Sequence, residues 1–379
     1  MVNITKIKDK LSQLSNSIGK KPHGLIDVNV NNVDEIFGDS ENINFFKIIE
    51  KPDVEIKPAT CLEEDYLIYF QPFKSQGEYV LLDINNREFS FRNNHLLDNH
   101  LNVIYEPGLD FHKLPISRQY LSRCKRLKGT VAYLSNTLPN QYGHWFCNTF
   151  PLIRIYWKFI GKENIDYYYI GDCSIQPFQI ESLAKIGIDK QQIINYPCQA
   201  DRSLIGVRRR ENQHGGNNKY IDLFAFNFVR DLFLKNSDNY DNSYHKRIYV
   251  KRGNVKHRKV INENKILDYL TRLGFVAIEM QGKTVREQAN IFSSAEVIIA
   301  PHGSALTNLL FARPNTKVIE LQSFNFPHTV NFSLASYAKA DFYYIKGEKT
   351  ANNQINPRYS DIKIDIHKLE KICQIANIV

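Results

Sequence analysis

The chain has 379 residues, 43% of them hydrophobic and 23% charged, with no low-complexity tract. That composition belongs to a folded protein and excludes collagen-like, mucin-like and disordered-tail classes; at roughly 150 residues per domain it suggests two domains with extensions. Lys and Arg outnumber Asp and Glu by 49 to 40, a net +9, so nucleic acid, membrane and phosphorylated metabolites are all open as partners.

Residues 1–21 place Ile4, Ile7, Leu11, Leu14 and Ile18 three and four apart, one apolar seam along a helix, with a local charge of +4. Such a basic amphipathic helix can pack on its own protein, pair with a second copy in a homodimer, or lie on an anionic membrane. No signal-peptide core opens the chain and no stretch of about 18 apolar residues occurs. A cytoplasmic protein is expected, at most peripheral at the inner face of a membrane, and the sequons at Asn3 and Asn331 then carry no meaning. The six cysteines are scattered without metal spacing and read as reduced structural thiols.

Residues 22–125 alternate in short segments such as YLIYF, YVLLDI and EFSFR, a β-rich region. From about residue 128 strands alternate with helices. Strands are predicted at GTVAYLS, DYYYIG, QIINYP and SLIGV, with helices over His144–Phe159, Gln176–Ile186 and Lys219–Lys235. The polar segment KNSDNYDNSYHK reads as a linker. Beyond it RIYVK, FVAIE, EVIIA, KVIEL and DFYYIK are strands, separated by a helix capped by Asn262, a second opened by the capping box Thr284–Glu287, a third over SALTNLLFA and a fourth over Ser333–Lys339. The expected organisation is a basic helix (1–21), a β-rich region (22–125), an N-terminal Rossmann-like domain (126–236), a linker (237–242) and a C-terminal Rossmann-like domain (243–379). Two such domains imply a ligand cleft at the carboxyl ends of their strands.

Several common motifs are missing. Gly282-Lys283-Thr284 resembles the end of a phosphate loop, but the required upstream glycine is Ala277. No GxGxxG follows a strand, which disfavours nicotinamide or flavin chemistry. No Asp-x-Asp is present, so the usual metal anchor of nucleotide-sugar enzymes is lacking.

The strongest constellation is Ala300–Asn308, APHGSALTN, where a buried strand gives way to a helix and free backbone N–H groups converge. Gly303 lets an oxyanion approach the backbone, His302 can donate to a phosphate or sugar oxygen, and Ser304 can cap the helix or bond a ligand; a purely structural turn is the alternative. The second is Lys246–Lys259, with seven Lys or Arg and no acid. Its Arg252 and Arg258 follow the first strand of the second domain and suit a diphosphate, against the alternatives of a solvated loop or a nucleic-acid patch. In the first domain Gly143-His144-Trp145 opens a helix. His144 is a candidate base for a hydroxyl nucleophile, although a helix N-terminus disfavours its protonated form. Asp172, past DYYYIG, is the carboxylate candidate on the same edge, and Glu320 at the end of KVIEL can accept from ribose hydroxyls.

The segments GHWFCNTFPLIR, RIYVKRGNVKHRKVINENKILDYLTRLGFVAIE and EQANIFSSAEVIIAPHGSALTNLLFARPNTKVIEL resemble glycosyltransferase family 61, often labelled capsular polysaccharide biosynthesis proteins in bacteria. The resemblance covers roughly residues 128–345. It implies a GT-B fold, an inverting mechanism without an essential metal, and usually a UDP-sugar donor. It leaves the acceptor undetermined, since residues 1–125 match nothing; a glycan is expected, or a lipid-linked glycan where the basic helix meets a membrane. Arg252 and Arg258 fall on the family's basic positions, and His302, Gly303, Asn308 and Glu320 match its second donor block, with the N–H groups of Gly303, Ser304 and Ala305 beside them. One departure is Asn148, four positions after His144, where members commonly carry an acid. The expected protein is an inverting transferase with His144 as base and Asp172 in reserve, needing no cofactor and no nucleic acid. A UDP-sugar epimerase of the same fold and a nonenzymatic nucleic-acid binder are the rivals.

The charge is local. Residues 1–21 and Lys246–Lys259 together carry more than the whole excess, which leaves the rest of the chain slightly acidic.

Overall fold

The computed structural model describes residues 24–27, 43–50, 58–63, 70, 77–85, 89–92, 94–98, 102–105, 123–135, 138–210, 222–234, 244–253, 255–350 and 359–379. The expected helix over 1–21, the linker 237–242 and the YLIYF segment lie outside the described residues, apart from Phe70. The chain divides into two units: residues 1–50, 77–145 and 149–210 form the first, and residues 51–76, 146–148 and 211–379 the second.

The first unit is built on one ten-stranded mixed sheet. Its strands are β1 (Gly24–Asp27), β2 (Ile43–Glu50), β3 (Gly77–Ile84), β4 (Phe89–Arg92), β5 (His95–Asp98), β6 (Asn102–Tyr105), β7 (Lys125–Tyr133), β8 (Tyr167–Tyr169), β9 (Ile193–Ile194) and β10 (Cys198–Arg210). The strands β10, β7, β8 and β9 lie side by side in parallel, the pattern that alternation of strand and helix demands. The strands of 22–125 continue this same sheet, because β10 is long enough to pair antiparallel with β3 along Ser203–Arg210 and with β4 at Cys198. Between the strands run α1 (Leu152–Phe159) and α2 (Pro177–Lys185), the latter opened by a Gln176–Gln179 capping box. Phe91, Tyr133 and Tyr169 stack at centroid distances of 5.1–5.6 Å in the core.

The helix expected over His144–Phe159 is broken in three. One turn spans Tyr142–His144, a π-helical turn spans Trp145–Thr149, and α1 follows. Pro151 supplies the reason: it has no N–H for the carbonyl of Cys147, so the ladder shifts and the Phe150 N–H reaches back five residues to the Trp145 carbonyl at 2.9 Å.

The second unit carries a five-stranded, all-parallel sheet of β11 (Arg247–Lys251), β12 (Val276–Glu279), β13 (Val297–Pro301), β14 (Lys317–Gln322) and β15 (Asp341–Lys346), in the order β12-β11-β13-β14-β15. Its helices are α3 (Leu223–Leu234), α4 (Glu263–Arg272), α5 (Val285–Ser294), α6 (Val330–Tyr337) and α7 (Ile366–Ile375). The helix predicted over Lys219–Lys235 is thus α3, and it groups with the second unit rather than the first. The middle strands β13 and β14 have almost no polar alternation because both faces are covered. Ile299, Ile319 and Tyr249 are fully buried with α4 and α7 residues such as Ile266, Leu270, Leu369 and Ile372; each large apolar side chain so buried stabilises the fold by about 1.5–3 kcal/mol. The segment after β13 is a 3-10 helix, Ser304–Phe311, rather than an α-helix.

Of the two caps read from the sequence, one forms and one differs. Thr284 accepts from the Glu287 N–H, and the Glu287 carboxylate accepts from the Thr284 N–H at 2.7 Å. The Thr284 N–H and hydroxyl hold that carboxyl below its usual range, so its contribution is present above the unfolded-state value and is lost as pH falls through the folded one. Thr284→Ala is expected to lower stability by about 1 kcal/mol, read as a lower urea midpoint at unchanged slope. Asn262, by contrast, makes no cap bond. Its amide pairs with the Ile364 backbone, Nδ2 donating to the carbonyl at 2.7 Å and Oδ1 accepting from the N–H at 3.1 Å.

Candidate functional site

In the second unit the order 2-1-3-4-5 puts the topological switch point between β11 and β13, where the strands' following loops separate in opposite directions. Arg252 follows β11 directly, and His302 and Gly303 follow β13. The two loops meet there: an Arg252 Nη1 N–H donates to the His302 carbonyl. Gly303 makes room for that guanidinium. A Cβ at residue 303 would lie 2.1 Å from Arg252 Nη1, whereas its backbone is extended, with φ 171° and ψ 174°.

Arg258 joins from the far end of the same loop, its backbone in the left-handed region at φ 58°. That end of the loop is pinned by Lys259 N–H to Asp361 Oδ1 at 2.8 Å and by Ile261 N–H to the Ile362 carbonyl at 2.9 Å. Burial and the neighbouring Arg258 charge push the Arg252 guanidinium down to about 10. Burial likewise lowers Arg258, opposed by the charge of Glu320. The buried Nε atoms of both arginines have no hydrogen-bond partner among the described residues. Other cations of the basic stretch are spent elsewhere: Arg247 donates to the Leu273 carbonyl at 2.8 Å, and Lys251 faces Glu279 at 3.7 Å.

Behind His302 lies a buried polar network. Its Nδ1 is 2.7 Å from Glu320 Oε1, and Glu320 is 0% exposed. The same oxygen accepts from Asn331 Nδ2, and Glu320 Oε2 accepts from Gln322 Nε2 at 2.8 Å. Gln322 Nε2 also donates to the His328 carbonyl at 3.2 Å, and the His328 ring lies 4.8 Å from that of His302.

The structure therefore gathers Arg252, Arg258, His302, Gly303 and Glu320 at one strand edge. Ser304 is exposed as the first residue of the 3-10 helix, where Gly303 rather than Ser304 takes the capping position. The N–H groups of Ser304 and Ala305 begin that helix, while Leu306 already donates to Gly303 at 3.0 Å. Asn308 is 0% exposed, its amide donating to Gln288 Oε1 at 2.7 Å and to the Ala305 carbonyl at 3.0 Å, so it braces the turn from behind. His144 and Asp172 belong to the first unit. His144 is half-buried next to the fully buried Trp145, whose Nε1 donates to Ser182 Oγ at 2.9 Å. Asp172 Oδ1 accepts from the Tyr169 hydroxyl at 2.8 Å, and its N–H donates to Asn94 Oδ1 at 2.8 Å. Gln322, His328 and Asn331 were missed in the sequence. Their signal was position: Gln322 ends β14 and the other two follow it, and Asn331, set aside as a sequon, is 2% exposed.

Fold and site together define an α/β protein with two guanidinium groups and a helix start collected at a switch point. Residues 142–319, a little under half of the chain, match the family model Glycosyltransferase 61, a segment that contains Arg252, Arg258, His302 and Gly303 and ends one residue before Glu320. Over that segment the chain is similar to the Glycosyltransferase 61 family, which supports a glycosyltransferase. No curated protein matches it. Among the described residues no helix is long and apolar enough to cross a membrane.

Proposed function

We propose that this protein is an inverting, metal-independent transferase that moves a sugar from a nucleoside diphosphate, a UDP-sugar by family resemblance, to a hydroxyl of a glycan or lipid-linked glycan in surface or capsular polysaccharide synthesis. A GT-B arrangement belongs to the same proposal. The observation that carries it is the pair Arg252 and Arg258: two half-buried guanidiniums at the switch point, each with a buried Nε that has no hydrogen-bond partner among the described residues. Like charges drawn partly out of water are costly, and an anion seated between them offsets both the desolvation and the mutual repulsion.

In the transfer, the acceptor oxygen bonds to the anomeric carbon as the bond from that carbon to the phosphate oxygen breaks, and the electron pair leaves with the diphosphate. Arg252, Arg258 and the N–H groups at Gly303–Ala305 stabilise that growing charge, the task a divalent metal performs elsewhere. A base takes the acceptor proton; His144 is the proposed base and Asp172 the reserve.

A thermal-shift panel of UDP, GDP, CDP, CMP, ADP and duplex DNA, run with EDTA and with magnesium, tests the reading. One nucleoside diphosphate is expected to stabilise the protein equally in both, by about 2.7 kcal/mol at a hundred times its Kd. Stabilisation by none of them, or by duplex alone, overturns the donor site; stabilisation only with magnesium overturns metal independence.

A further inference from the structure

We propose that binding of a nucleoside diphosphate at this site takes up one proton on His302, with Glu320 as the positioning residue that holds the ring's Nδ1–H inward and leaves Nε2 to the anion. The inference rests on the donor-site reading above and goes beyond it by assigning a protonation state.

It follows from counting donors. Every group bonded to the Glu320 carboxylate is a donor: His302 Nδ1 at 2.7 Å and Asn331 Nδ2 on Oε1, and Gln322 Nε2 at 2.8 Å on Oε2. Three donors around two oxygens are the hydrogen-bond pattern of an acceptor-only carboxylate. It fixes the imidazole as the Nδ1–H tautomer, as a carboxylate behind a histidine does generally. One ring nitrogen remains, Nε2, on a side chain 9% exposed. In the neutral ring that nitrogen is a bare lone pair. A phosphate oxygen is also an acceptor, so neutral His302 would set lone pair against lone pair. A hydrogen bond forms only when Nε2 gains a proton from solvent. No covalent bond to the ligand changes, and the new positive charge sits between the Glu320 carboxylate and the anion.

The other groups facing the ring are few, and Asn331 Nδ2, 3.4 Å from His302 Nδ1, bonds the more closely held Glu320 Oε1. Arg252 donates to the His302 carbonyl, and Arg258 is felt by the Glu320 charge. Arg252, held near 10 by burial and Arg258, contributes only a small part of any uptake below pH 9. Phe326 lies 6.0 Å away edge-on. His328, 4.8 Å away, is the other imidazole, and its Nδ1 accepts from the Val330 N–H at 3.4 Å.

The test is calorimetric titration of the full chain with the nucleoside diphosphate that stabilises it best, in buffers of different ionisation enthalpy between pH 7 and 9. That range lies above the second ionisation of a phosphate, near about 6, so the ligand itself is fully ionised. Uptake is expected to rise with pH toward one proton per ligand, and Kd to climb toward tenfold per pH unit. His302→Gln is expected to abolish the uptake and the slope, and His328→Gln to leave both. Glu320→Gln keeps an acceptor for Nδ1–H but loses the charge, so its rise in Kd is expected to begin at lower pH. Tight binding without uptake in the unaltered protein, or uptake that survives His302→Gln, overturns the proposal while the donor reading stands. Failure of every nucleoside diphosphate to bind overturns both.

Discussion

Replacing Gly303 by alanine is expected to lower turnover about a hundredfold, as much as removing the Arg252 side chain, and the double replacement is expected to cost no more than either alone. The cause is steric. The Gly303 backbone is extended, a conformation any residue adopts, so alanine strains nothing there. Its Cβ, however, would fall 2.1 Å from Arg252 Nη1 and 3.2 Å from Cζ. A guanidinium at the end of a flexible chain can withdraw, so the fold survives and the loss falls on the site. Once withdrawn, Arg252 no longer bonds the His302 carbonyl and no longer faces the departing diphosphate. Losing one preorganised charge stabiliser costs about 10²–10³ in kcat. Because both substitutions remove the same interaction, their effects should not multiply. Steady-state kcat for Arg252→Ala, Gly303→Ala and the pair, with thermal melts as control, decides the matter. Undiminished turnover in Arg252→Ala removes the arginine from the mechanism, and a double variant near ten-thousandfold shows that Gly303 acts separately.

The strand β13 and its neighbours were legible because a sheet covered on both faces needs continuous apolar runs, and RIYVK, EVIIA and KVIEL supply them. The Thr284 box was legible because it is local, four residues recognising one another. What escaped the sequence was decided by distant partners. Asn262 looks like a cap until the Ile364 backbone claims its amide 102 residues away. Strand β3 gives no sign that it extends the sheet of β10, since that register joins residues more than a hundred apart. Glu320 at a strand end suggests a ribose partner, but position along a strand does not reveal which group its carboxylate meets; His302, Asn331 and Gln322 occupy it. The π turn was written in Pro151, yet the apolar periodicity across it reads as one unbroken helix.

That turn bears on the second large effect, expected from His144→Ala: turnover reduced by about 10²–10⁴, the scale of losing a positioned general base, with nucleoside diphosphate affinity unchanged. His144 closes the single turn Tyr142–His144, and the π turn begins at the next residue. Such turns recur at functional sites because they re-aim side chains without breaking the helix. Here the neighbouring Trp145 is fully buried and anchored on Ser182, and Thr149 Oγ1 donates to the His144 carbonyl at 3.3 Å, which fixes the backbone that carries the imidazole. Asn148 cannot supply the acid expected four residues on. Asp172 is the weaker candidate because its carboxylate already accepts from the Tyr169 hydroxyl; Asp172→Asn is expected to cost less than His144→Ala. The discriminating measurement is a pair of readings on each variant, kcat for transfer and Kd for the diphosphate. A base sited at His144 lowers the first and spares the second, because Arg252, Arg258 and His302 all belong to the second unit. Retained turnover in His144→Ala moves the base to another residue, and lost affinity instead makes His144 part of the donor site.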